Sequence, residues 1–322
     1  MQPISSTKPL VEGAFAAALS TMLALVGLYI PLLSGITNMV WTIPITILVA
    51  RYSLRYGLMT LAVTTFMLVM LSNPITAGFY VVQFGMVGVF FGVVFRRQLA
   101  TGYAVLGGVV ISIISTAVVS YLSLRVMGLT LGDLDQQLMS SVDSAVDFYR
   151  SAGILERYAE KGITEDMLRE SASQIMYLTK RLMPGILVFG AAAAAGINFL
   201  ASHMVALRLR IPVRALRPFS EWQMPWYLTW GVVLGFAVLL LGDYLKLDWL
   251  VMGGQNILLI YSPVLLLFGI SVLSHYYQKS QLPRWLKIGI IVLSSLYFWI
   301  TLIVIMTIGL FDPFFNYRKH VK

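Results

Sequence analysis

The chain contains no cysteine, and charged residues make up only 11% of its 322 positions, where a soluble domain carries about 25%. The first absence excludes a disulfide, a thiolate metal site and a cysteine nucleophile, and leaves the redox compartment open. The second, beside a hydrophobic share of 58%, excludes an ordinary soluble domain and points to a membrane protein. The weakly alternating ten-residue segments of a transmembrane barrel are also missing, so internal backbone pairing requires helices. Catalytic patterns are scarce as well. His203, His275 and His320 have no second histidine or carboxylate at metal-ligand spacing, and no HExxH, GxSxG or P-loop pattern occurs. No catalytic residue, metal site or cofactor is therefore expected, and a hydrolase or metalloenzyme is disfavoured.

What is present is a series of apolar runs near the roughly 20 residues that a helix needs to cross about 30 Å of hydrocarbon. Spans are expected near 10–32, 38–50, 56–72, 76–95, 102–124, 184–206, 226–242, 251–274 and 287–310. The fold class is thus an all-α polytopic membrane protein with about nine transmembrane helices and an extracytoplasmic helical insert. The first run is too long for a signal h-region and lacks a following small-residue cleavage site, which reads as a retained span. The second is short and contains Pro44, so it is expected to be tilted, broken or re-entrant. Asn73 and Pro74 make a tight exit between spans three and four, and Pro263 should kink span eight. The expected organisation is a six-span bundle at 1–206 holding the insert at 128–181, an interfacial elbow at 207–225, and three further spans with a basic tail at 226–322.

Lys and Arg outnumber Asp and Glu by 23 to 14, and the excess lies in short loops. Arg51 and Arg55, Arg96 and Arg97, Arg208, Arg210, Arg214 and Arg217, and Lys279, Arg284 and Lys287 follow alternate spans. The positive-inside rule puts that side in the cytoplasm, with anionic lipid headgroups rather than nucleic acid as partners. Arg318, Lys319 and Lys322 are the exception, since they land outside if span nine crosses fully. In the elbow, Pro212, Pro218 and Pro225 prevent one continuous helix. Trp222, Trp226 and Trp230 recur at i, i+4 and i+8 and would line one face at headgroup depth if the chain is helical there. The elbow reads either as a membrane-surface anchor or as a docking surface.

The insert is net acidic, with Asp133, Asp135, Asp143, Asp147, Glu156, Glu160, Glu165, Asp166 and Glu170. Leu131, Leu134, Leu138, Val142, Ala145 and Tyr149 form an apolar stripe at helical spacing, and Gly153 can end that helix. Thr164 reads as an N-cap, with Ile163 and Leu168 as a hydrophobic staple for a second helix. The two helices pack on each other and on the membrane surface, or act as a lid or partner-binding cap.

Polar groups inside spans are ligand or helix-contact candidates: Gln83 in span four, Asn198 and His203 in span six, and Gln255 with Asn256 in span eight. Small residues four apart are candidates for packing on a partner or within the bundle, namely Ala14 and Ala18, Gly88 and Gly92, and Gly231 and Gly235. Asp312 and Arg318 are expected to anchor the tail.

Pro184 with Asn198, PFSEWQMPWYLTW from Pro218 to Trp230, Asn256, and GLFDPFFNYRK from Gly309 to Lys319 together resemble the YybS family of bacterial multi-span membrane proteins, a group with no established catalytic residues. Its closing G-x-x-D-x-x-F-x-x-R element matches at Gly309, Asp312, Phe315 and Arg318, while Tyr317 departs from an expected phenylalanine. More distantly, the first six spans resemble S components of energy-coupling-factor transporters and MreD. In S components an alanine pair on the first helix packs against the coupling subunit, and Ala14 and Ala18 match that spacing. Two roles remain: a non-enzymatic scaffold or accessory subunit with a membrane-protein partner or a second copy of the chain, which fits the scarcity of charge within the spans, or a small-solute-binding transporter subunit, which the resemblance to S components implies.

Overall fold

A computed structural model of the chain describes residues 7–154 and 164–320. Glu156, Glu160, Ile163 and Lys322, and the side chains of Leu131, Leu134, Asp135, Leu138 and His320, lie outside the described residues. Nine helical segments among the described residues are long and apolar enough to cross a membrane, and no strand occurs among them. The protein is a multi-pass α-helical membrane protein. Contacts divide it into two compact units, Met1–Arg169 with Gly190–Ala215, and Glu170–Phe189 with Leu216–Lys322.

The first unit holds α1 (Thr7–Tyr29), α2 (Pro31–Val40), α3 (Ile43–Arg51), α4 (Leu54–Leu71), α5 (Pro74–Tyr80), α6 (Met86–Arg96), α7 (Thr101–Met127) and α8 (Leu131–Ser151). It also takes both ends of the long α9 (Glu165–Arg208), whose middle belongs to the second unit. The second span is not short, running from Pro31 to Arg51, but it is broken: α2 stops at Val40, and Thr42 precedes an α3 that carries Pro44 in its first turn, where the missing N–H is harmless. Buried Ile45 to Ala50 make α3 the centre of the unit. Thr46 Oγ1 donates to the Gly88 carbonyl of α6 at 2.8 Å, and Gly92 brings α6 against Val49. On α1 it is Gly13 and Ala17 that are buried, facing Thr60 and Thr64 of α4. Arg51 pairs with Glu12 at 3.1 Å, which brings the start of α1 and the end of α3 to one basic end.

Asn73 caps α5 by accepting from Thr76 N–H at 2.8 Å, as the Asn-Pro pair predicts. A π-helical turn, Val81–Gly85, joins α5 to α6. Thr130 and Asp133 form a reciprocal capping box at the start of α8, and Gly153 lies beyond its end at φ +65°. Thr164 accepts from Met167 N–H to cap α9. Arg150 pairs with Asp147 and Glu165, and Arg169 with Asp143 and Glu165, so the insert's acidic excess is partly neutralised between its helices.

In the second unit α10 (Thr229–Leu245) turns through Lys246, at φ 55°, into α11 (Asp248–Lys279), which continues through Pro263. The expected ninth span is corrected here. Tyr297, at φ −101° and ψ 44°, breaks it into α12 (Arg284–Leu296) and α13 (Phe298–Phe315). Gly309 lies against Leu265 O and Gly269 N, Gly269 lies against Ile305 O, and the Tyr276 hydroxyl donates to Tyr317 O at 2.7 Å. Helices α11 and α13 therefore pack directly on each other and run parallel, and α12 returns the chain from the end of one to the start of the other. Arg318 and Lys319 return to the end of the unit that holds Lys279, so the basic tail is not the exception that a single crossing would have made it.

Candidate functional site

Most of the suspected polar residues are occupied by contacts inside the chain. Asn256 of α11 meets α9 at its interruption by Pro184. Its Oδ1 accepts from Gly185 N–H at 2.6 Å, and its Nδ2 donates to Arg181 O at 2.9 Å and to Met252 O at 2.8 Å. Gly185 is needed here because a Cβ would lie 2.7 Å from Asn256 Oδ1. A side-chain amide thus serves peptide groups on both sides of the proline, which in hydrocarbon would otherwise be costly. Gln255 accepts from Arg181 Nε at 2.7 Å beside it.

In the first unit, buried Asn198 donates to Met39 O at 2.7 Å and to Thr42 Oγ1 at 2.8 Å, bracing the break between α2 and α3. His203 sits beside the rings of Phe95 and Phe199, with Nε2 2.9 Å from Arg214 O. Gln83 is half-buried in the π-helical turn.

The elbow is irregular, with short 3-10 turns at Phe219–Glu221 and Trp226–Leu228. The expected tryptophan face is corrected accordingly. Trp222 is extended, Trp226 opens a 3-10 turn and Trp230 lies in α10, because Pro225 cannot donate and restricts Met224 before it. Trp226 and Trp230 are exposed, whereas Trp222 is half-buried; Arg208, Arg210, Arg214 and Arg217 are exposed.

Buried Arg318 closes the tail over this elbow. It donates through Nη2 to Trp222 O at 2.6 Å and to Ser271 Oγ at 3.0 Å, and lies 3.5 Å from the carboxylate of buried Asp312. Ser271 in turn donates to Phe219 O and Trp222 O. Both Asp312 oxygens, together with Arg318 Nε and Nη1, are buried without a hydrogen-bond partner. The elbow, α11 and the end of α13 are thus tied at one cluster. Asp312 and Arg318 were legible in the sequence as charges at an apolar helix end; Ser271 was not singled out, since its span also carries Ser262 and Ser274 and spacing alone does not tell which of the three meets a neighbour.

A family model described as Predicted membrane protein (DUF2232) matches residues 18–313. The chain belongs to the DUF2232 family. No curated protein and no solved structure matches it. The matched DUF2232 region contains the Pro184–Asn256 junction and Asp312.

The small-residue faces of this DUF2232 chain divide into filled and open ones. Gly88 lies against Thr42 and Gly92 against Val49, while Gly231 lies against Tyr261 and Gly235 against Leu258. These four close-packing positions are taken up within their own units, because each lacks the Cβ that would collide with its neighbour. Ala14 and Ala18 are exposed, and Ala17 between them faces the core.

Proposed function

We propose that this DUF2232 chain is a non-enzymatic scaffold or accessory subunit of a membrane or envelope complex in the bacterial cytoplasmic membrane. The observation that supports this reading is the contrast between inside and outside. Asn198, His203, Gln255 and Asn256 are engaged by partners in the chain, while α1 leaves Ala14 and Ala18 uncovered. Small residues permit a second helix to approach closely. Since both alanines are exposed, Ala14→Leu with Ala18→Leu should leave the melting temperature of the purified protein unchanged and abolish co-purification of its partner. Unchanged co-purification would end the proposal for this face.

One observation favours a second reading, a small-solute-binding transporter subunit of S-component type. Gln83 lies in a π-helical turn, an irregularity that recurs at functional sites. Native mass spectrometry of the gently extracted protein separates the two. A stoichiometric small molecule lost on Gln83→Leu supports the transporter subunit; a co-purifying membrane protein without a ligand, and unrelated to transporter coupling subunits, supports the scaffold. The resemblance to the YybS family is compatible with either.

A further inference from the structure

We propose that the first unit binds one anionic phospholipid, with an acyl chain in a groove between α1, α3 and the end of α9 and the phosphate beside Arg51. This goes beyond the subunit role and does not rest on it. The groove has a volume of about 420 Å³. Buried Ile47 and Leu48 of α3 form its floor, exposed Phe15 and Leu19 of α1 form one rim, and Val205 and Leu209 of α9 contribute to the lining.

Its length fits one leaflet. From Glu12 to Leu23 the α1 axis rises about 16 Å, half of a hydrocarbon core of about 30 Å. A hydrocarbon chain of one leaflet covers the same distance.

Its charge fits an anion at one end only. The lining is otherwise apolar, and its two charged residues, Glu12 and Arg51, are paired at 3.1 Å at the basic end of the unit. The Arg51 side chain is 42% exposed, so its guanidinium can serve a second acceptor. Exposed Arg208 and Arg210 flank Leu209 in the chain. A phosphate at that end would meet guanidinium groups, while its acyl chain follows α1 toward Leu23 and Val40.

The test is native mass spectrometry of the full chain in mild detergent, titrated with phosphatidylglycerol and phosphatidylcholine of identical acyl chains. One phosphatidylglycerol should bind about fivefold more tightly than phosphatidylcholine, roughly what one cation near an anionic headgroup supplies. Arg51→Gln should remove the preference and Glu12→Gln should increase it, opposite changes that a general loosening of the fold would not produce. Leu19→Trp, which fills the groove from its exposed rim, should weaken both lipids, with Phe15→Trp as the substitute if that variant melts early. Excess inorganic phosphate should not displace the lipid. Equal uptake of the two lipids, adducts indifferent to the tryptophan, or a photo-crosslinker at Leu19 that captures a protein helix instead of lipid would overturn the proposal.

Discussion

Asn256 shows how much one amide can hold. With Asn256→Leu, Gly185 N–H and Arg181 O lose that partner beside Pro184, at an expected cost of about 1–3 kcal/mol for a buried unsatisfied group. The melting temperature in detergent should fall. Gly185→Ala should reproduce the loss, since its Cβ would lie 2.7 Å from Asn256 Oδ1. A residue held for a ligand would instead leave melting unchanged. The sequence marked Asn256 as suspicious but did not name its partner, because 71 positions separate it from Gly185 and a neutral amide carries no sign of whom it serves. Asp133 makes a second residue-scale test. The Thr130 hydroxyl and backbone N–H hold its carboxylate below the usual aspartate range. A depressed pKa contributes stability above the unfolded-state value and loses it as pH falls through the folded one. The first turn of α8 should therefore stay protected from hydrogen exchange until the pH drops below where an ordinary aspartate titrates, and Asp133→Asn should remove that pH step.

Among the elements, the tail is where charge decides position. Arg318→Met removes the donor to Trp222 O and Ser271 and leaves Asp312 buried without its cation, and breaking a buried pair in this way typically costs about 3–5 kcal/mol. Asp312→Asn leaves both Arg318 hydrogen bonds in place and should cost less. Hydrogen exchange across residues 316–320 and 219–222 is expected to accelerate strongly in the first variant and weakly in the second; equal acceleration in both would show that the ion pair, not the contacts to the elbow, holds the tail. The spans themselves were readable because hydropathy is summed over many residues and survives local exceptions. The break at Tyr297 was not, since no proline or glycine stands between Ser294 and Trp299 and the apolar run continues through it. Pro225 had the opposite effect: its presence already argued against the continuous tryptophan face, and the backbone followed the proline.

For the whole molecule, the basic loops predict topology. A chain without cysteine allows single-site labelling, and exposed Ser151 and Glu221 are the positions to use, because Ser220 beside the latter is buried. An impermeant thiol reagent on intact cells should reach Ser151→Cys and not Glu221→Cys. Lys319→Cys should behave like Glu221→Cys, because α13 brings the tail back to the elbow; labelling of Lys319→Cys from outside would restore a single ninth crossing. The all-helical, multi-pass class was legible from composition alone. The division into two units was not, since it cuts through α9, which is a single helix, amphipathic and then apolar, that continues through Pro184. That same helix bears on how the protein is made. Chains are synthesised from the N-terminus, so α9 reaches the bilayer with its Pro184 interruption before the ribosome has produced α11. Entry into the membrane and completion of the helix are separate events in time, and the interval between them is when the nascent protein offers open peptide groups to whatever assists its insertion.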